Sequence, residues 1–166
     1  MKKLCFICVA SLLGLTLTSC SKQNPMVATT RNEGAALAGD LPSNPLQSKV
    51  ITSALNQRDS TMWTLFGNDL AVNYARTHSG HDYPAGSMLS LITWEQQEDG
   101  RWFGGRIPGP PKSVEFVTVS MDAEHRLSYV HQKFEGTPLR KVSAQEIPTP
   151  NEPVAYLLSQ RAAVTP

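Results

Sequence analysis

Every cysteine of this 166-residue chain lies within its first twenty positions, at Cys5, Cys8 and Cys20. Whatever the remaining residues fold into is therefore built without a disulfide, a cysteine-ligated metal or a thioether-bound cofactor. The stretch from Lys49 onward is long enough to bury a core without such staples. At 40% hydrophobic and 17% charged residues the whole chain has the composition of a globular protein, not of a disordered tail or a coiled coil. Lys plus Arg number 15 against 14 Asp plus Glu. Two of the positives, Lys2 and Lys3, open the chain, so the rest is close to neutral and exerts no global attraction on nucleic acid.

Residues 1–19 read as a targeting segment. Lys2 and Lys3 precede the uncharged apolar stretch Leu4–Leu17. That stretch suits a secretory h-region of roughly 7–15 residues and is shorter than the ~20 needed to span a bilayer. Leu17-Thr18-Ser19-Cys20 resembles a bacterial lipobox, an apolar residue and two small ones before a cysteine. The resemblance implies lipidation at Cys20, cleavage before it, and attachment to the lipid bilayer through the acylated cysteine. Ser21 in the next position implies delivery to the outer membrane, facing the periplasm. Cys5 and Cys8, three apart inside the apolar stretch, belong to the segment removed and carry no redox reading.

Residues 20–48 are poor in large apolar side chains, rich in Ser, Thr, Asn, Ala, Gly and Pro, and without helical or strand period. They read as a flexible tether. Residues 49–166 read as one domain. Val50–Gln57 and Thr61–Phe66, around a short polar turn, predict a β-hairpin. Asn68 as N-cap and Asp69 in the first turn predict a helix to about Thr77. Ser87–Gln96 is apolar on both faces and predicts a central strand; Ser113–Ser120 and Leu127–Phe134 predict two more. Asn151-Glu152-Pro153 opens a last helix to about Arg161. The expectation is an α+β fold, a mainly antiparallel β-sheet with flanking short helices.

A set of phrases in this domain resembles the cytochrome P-460 family, in order and at plausible spacing. They are Thr61-Met62-Trp63-Thr64-Leu65-Phe66-Gly67-Asn68, Tyr83-Pro84-Ala85-Gly86-Ser87, Thr93-Trp94, Trp102-Phe103-Gly104 and Ser113-Val114-Glu115-Phe116-Val117. The resemblance implies an antiparallel β-rich fold with flanking helices, often a homodimer. It also implies kinship with periplasmic c-type haem proteins that oxidise hydroxylamine with a lysine-crosslinked haem or bind nitric oxide without the crosslink. The chain departs from that pattern where it matters chemically. No C-x-x-C-H motif is present; if the last helix takes that motif's place, Leu157-Leu158-Ser159-Gln160-Arg161 stand there. No lysine aligns with the crosslinking position; Lys112, Lys133 and Lys141 are possible only in principle. The domain thus looks like a relative that kept the fold and lost covalent haem.

The remaining chemistry is thin. His78-Ser79-Gly80-His81-Asp82 offers His78 and His81, three apart beside a carboxylate, as weak metal candidates. Without a cysteine or a distant acidic motif, a solvated loop is the ordinary reading, so no metal is expected. His131 alternates with Leu127 and Tyr129 on one strand face and is the best candidate for an unusual ligand to noncovalent haem. Glu95, Glu98 and Asp99 follow Trp94 at an exposed strand end, where a raised carboxyl pKa for acid–base catalysis is not expected. Trp102 and Phe103 sit in a Gly- and Pro-rich connection between Gln96 and Ser113. The expectation is that this loop folds back over the sheet and packs one of them near Trp94, as core closure or as a ligand lid. Trp94, Trp102, Phe103 and His131 are accordingly the pocket candidates.

Three readings follow. The first is an envelope lipoprotein whose P-460-like domain binds a small apolar or planar ligand without covalent haem. The second is a noncovalent-haem redox, nitric-oxide or hydroxylamine-related protein. The third is a structural or partner-binding lipoprotein.

Overall fold

The structure, a computed structural model, describes residues 32–163. The targeting segment 1–19, the lipidation site Cys20 and the first part of the tether lie outside the described residues. Six strands follow one another as an antiparallel meander in which spatial order equals chain order. They are β1 (Lys49–Asn56), β2 (Thr61–Gly67), β3 (Met88–Glu98), β4 (Arg106–Met121), β5 (Leu127–Glu135) and β6 (Arg140–Ile147). Helix α1 (Asp69–Thr77) connects β2 to β3, and α2 (Glu152–Ser159) follows β6. The α+β layout expected from the sequence is present, with β3 and β4 at the centre of the sheet. No helix among the described residues is long and apolar enough to cross a membrane.

Local chemistry explains the joints. Asn56 and Asp59 hydrogen-bond each other across the β1–β2 turn, Asn56 Nδ2 donating to Asp59 Oδ2 at 2.8 Å. The Asn68 side chain accepts from Ala71 N at 3.0 Å, and Asn151 accepts from Val154 N, so each helix starts on an asparagine cap that satisfies an otherwise orphan donor. Asp122 closes the β4–β5 turn by accepting from the backbone N–H groups of Glu124 and Arg126.

Strand alternation divides the core in two. On one face Leu65, Leu89, Leu91, Val117, Val119 and Tyr129 meet Val72 and Ala75 of α1 and Val154, Leu157 and Leu158 of α2. On the other face Phe66, Ile92, Trp94, Val114, Phe116 and Phe134 form a second buried layer with Leu139. Both helices lie on the first face, so something else must cover the second.

The cover is the segment read as tether. From Asn32 on, residues assigned to the 20–48 linker pack against the sheet, which moves the start of the folded part well before Lys49. Ala35, Leu37 and Leu41 lie on the second apolar layer, and Pro45 is buried. Trp94 Nε1 donates to the Ala35 carbonyl at 3.1 Å. Leu139 N donates to the Ala38 carbonyl at 2.7 Å, beside a parallel bridge between Gly39 and Leu139. A Cβ on Gly39 would stand 2.2 Å from the Leu139 carbonyl oxygen, and the residue has φ +146°, so only glycine allows this approach. The apolar residues of the strap are few and aperiodic, because a strap satisfies a flat sheet surface point by point.

Two more differences have physical causes. Strand β6 was not expected, because Arg140–Ile147 is polar and mostly exposed. It is an edge strand paired only to β5 along its length, and its Arg, Lys and Glu side chains guard the open edge. The long connection between Gln96 and Ser113 shrinks to residues 99–105, because β3 and β4 continue pairing past their apolar portions. The register shifts around Trp94, opposite Pro111, where proline cannot donate to the ladder.

Candidate functional site

The helix-bearing face is apolar at one end and polar at the other. Leu91 pairs with Glu115, Val117 with His131, and Glu115 with Lys133, so one face runs from aliphatic residues under the helices to charged residues beyond them. Glu115 stands in phase with Val117 and Val119 on β4, and His131 in phase with Tyr129 on β5. Their diagonal placement brings His131 Nε2 within 2.9 Å of Glu115 Oε2. Both are nearly buried, with side-chain exposures of 8% and 14%. With the carboxylate ionised and the imidazole neutral, Nε2 carries the proton and donates to Glu115, which leaves Nδ1 as the acceptor nitrogen.

Lys133 continues the row. Its Nζ lies 2.7 Å from Glu135 Oε1. The hydrogen bond to Glu135 raises the Lys133 pKa, Glu115 adds to the effect, and partial burial opposes it. Beyond these residues the sheet end opens into a shallow groove of about 680 Å³, lined in part by Thr61, Thr93, Glu95, Ser113, Lys133 and Glu135. Hydroxyls, carboxylates and an ammonium make its lining hydrogen-bonding. Trp63, on the same face, meets Tyr156 of α2 edge to face at 6.2 Å between ring centres.

The four pocket candidates are not brought together. His131 lies on this face, paired with Glu115. Trp94 is buried on the opposite face beneath the strap. Trp102 and Phe103 do not fold back over the sheet: they sit at the tip of the β3–β4 hairpin with relative exposures of 71% and 111%. The strap already fills the place near Trp94 that the loop was expected to occupy, and the extended pairing of β3 with β4 carries the tip away. Neither core closure nor a lid over Trp94 survives this placement.

His78 and His81 follow α1 in an exposed loop, and each ring has a neighbour. His78 stacks on Tyr74 at 4.5 Å, and its Nδ1 lies 2.8 Å from Thr77 Oγ1. The Nδ1 of His81 lies 3.4 Å from the Leu158 carbonyl. Among the described residues no group of three His, Cys, Asp or Glu side chains is arranged to hold a metal ion. Glu98 pairs with Arg106 at 2.9 Å and Asp99 accepts from Arg101 N, whereas Glu95 lines the groove.

Glu115, Glu135 and the hydroxyl residues of the groove escaped the sequence reading. Glu115 carried a usable signal: it is the charged residue inside an apolar run, on a strand whose two faces are both buried. The pairing that gives it His131 depends on the β4–β5 register, which no local pattern reveals.

The haem implied by the family resemblance does not fit the residues present. Leu157 and Leu158, at the positions the resemblance assigns to haem attachment, are 1% and 2% exposed in the helix–sheet core. The open groove has a polar lining instead of the apolar walls a porphyrin requires. Comparison with protein-family models and with curated proteins returned no match.

Proposed function

We propose that the chain is a lipid-anchored protein of the bacterial envelope, acylated at Cys20 and held at the outer membrane facing the periplasm. Its domain is a cytochrome P-460-like module without covalent haem that binds a small polar ligand in the groove beside Glu115 and His131. The address rests on the Leu17-Thr18-Ser19-Cys20 box and the apolar stretch before it. The binding role is carried by one observation, the nearly buried Glu115–His131 pair on a sheet face that otherwise buries aliphatic side chains. Burying a carboxylate is costly even with a hydrogen-bond partner and is weak evidence for stability, so its place next to Lys133 of the groove lining favours recognition. Of the apolar or planar ligands expected from the sequence, such a lining suits a polar one better than an apolar one. It favours a molecule that both donates and accepts hydrogen bonds.

Native mass spectrometry and the visible spectrum of the mature protein, purified from its own envelope, test this reading. The expected result is a small-molecule adduct without a Soret band, with the adduct lost in Glu95→Gln and Lys133→Ala. A Soret band would replace the proposal with noncovalent haem. An adduct-free protein would leave the structural or partner-binding role.

A further inference from the structure

The Trp102–Phe103 tip stands apart from the groove and from both cores. We propose that it is a membrane-contacting wedge, seated in the interface of the bilayer that holds the Cys20 anchor. The inference rests on the lipidation reading above.

Three observations support it. First, the tip is shaped. Asp99 N donates to the Gly105 carbonyl at 3.0 Å, Gly105 N to the Trp102 carbonyl at 2.8 Å, and Arg101 N to Asp99 Oδ1 at 2.9 Å. Gly104, at φ +76°, takes the left-handed conformation the turn needs. The backbone thus holds two large aromatic side chains in solvent, where their apolar area is unfavourable. A Trp combines an apolar ring with an N–H donor and suits the headgroup boundary of a bilayer; the adjacent Phe reaches the acyl region.

Second, the tip is electrically balanced. Its charges are Glu98, Asp99, Arg101 and Arg106, two of each sign, and Glu98 pairs with Arg106. Contact with a bilayer is then driven by apolar burial and not by attraction to anionic lipid.

Third, the chain toward the anchor leaves from this hairpin. The Asn32 side chain donates to the Pro108 carbonyl at 2.6 Å, and Asn32 lines a small cavity with Asp99, Gly100, Arg101, Ile107 and Pro108. Asn32 is twelve residue steps from Cys20, a reach of at most about 43 Å at ~3.6 Å each. So short a leash keeps the hairpin near the bilayer at high effective concentration, and two aromatic residues too few to bind a membrane alone become sufficient.

The test uses the acylated mature chain in phosphatidylcholine vesicles whose acyl chains carry bromine, a short-range quencher of tryptophan. The chain has three tryptophans, Trp63, Trp94 and Trp102, so the difference between wild type and Trp102→Phe isolates the tip. The expected result is quenching in wild type that falls at least twofold in Trp102→Phe and is unchanged by anionic lipid or by salt. Equal quenching in the two proteins overturns the proposal, as does quenching that requires anionic lipid. Phe103→Ser, at a fully exposed position, should keep the circular dichroism of wild type and lower the Trp102 quenching; unchanged quenching counts against the wedge. Acyl labelling of wild type against Cys20→Ala reports separately on the anchor. If wild type takes no label, the anchor reading falls and the wedge falls with it, whereas labelled wild type without Trp102 quenching overturns the wedge alone.

Discussion

The Nε2 atom of His131 and the Oε2 atom of Glu115 stand 2.9 Å apart on neighbouring strands, although neither residue is the other's direct partner in the register. Each supplies the other's hydrogen bond at a nearly dry position. Removing one leaves the other unsatisfied there, at a cost of about 1–3 kcal/mol. Glu115→Leu and His131→Leu, which remove the partner outright, should each destabilise the fold by about that amount. The double variant should lose less than the sum, with a coupling of ~0.5–3 kcal/mol in a denaturant-unfolding cycle. Strict additivity would mean the pair does not interact.

The strap over the second face should be separable from the sheet by two substitutions. Trp94→Phe keeps the ring's apolar area roughly in place and removes the donor to the Ala35 carbonyl, a loss of about 1 kcal/mol. Gly39→Ala forces a Cβ against the Leu139 carbonyl and should cost more. In both variants amide hydrogen exchange should accelerate at residues 33–47 before it does in the β3–β4 centre. Uniform acceleration across the domain would show the strap and sheet unfold as one.

Asp122 should give the β4–β5 turn an acid limit. The Arg126 backbone N–H holds its carboxyl pKa below the usual 3.8, aided by the Arg126 side chain and the Glu124 N–H and opposed by desolvation. The unfolded chain therefore binds the proton more readily, and stability rises with pH between the two values. The contribution is fully present above the ordinary carboxylate pKa and is lost as pH falls through the lowered one. Carboxyl NMR titration should find Asp122 below the usual 3.8, and Asp122→Asn should flatten the acid dependence of the melting temperature.

Tyr83 sets the opposite limit. Burial, with a smaller contribution from Tyr74 at 4.7 Å between rings, pushes its phenol from 10.0 up to about 12. A raised folded-state pKa stabilises the fold fully below the unfolded value of 10.0 and loses that contribution as pH rises toward about 12. Ultraviolet titration of phenolate should show a late component that Tyr83→Phe removes, along with part of the alkaline fall in stability.

The sheet was legible where physics is local. The Asn68 and Asn151 caps, the Arg58-Asp59-Ser60 turn and the doubly apolar run Met88–Trp94 each carried a reason within a few residues. The strap, the edge strand and the site were not. Leu37 and Leu41 acquire meaning only against the apolar layer that holds Trp94 and Phe116, more than fifty residues away. Arg140–Ile147 is stabilised as a strand by β5 rather than by its own propensity. Trp102 and Phe103 misled because burial is the usual fate of aromatic residues, and here the place beside Trp94 belongs to another segment. Glu115 and His131 meet through register alone, though a lone carboxylate amid Val114, Phe116, Val117 and Val119 was a warning in plain sight.

The Gly39–Leu139 bridge also orders events in time. A meander lets each strand add to the one before it, so most of the sheet can assemble from near neighbours as the chain emerges N-terminus first. The strap emerges before every strand, yet its partner at Leu139 emerges after five of them. Until then the layer containing Phe66, Trp94 and Phe116 has no lid, and the nascent protein carries an adhesive surface that its finished form conceals.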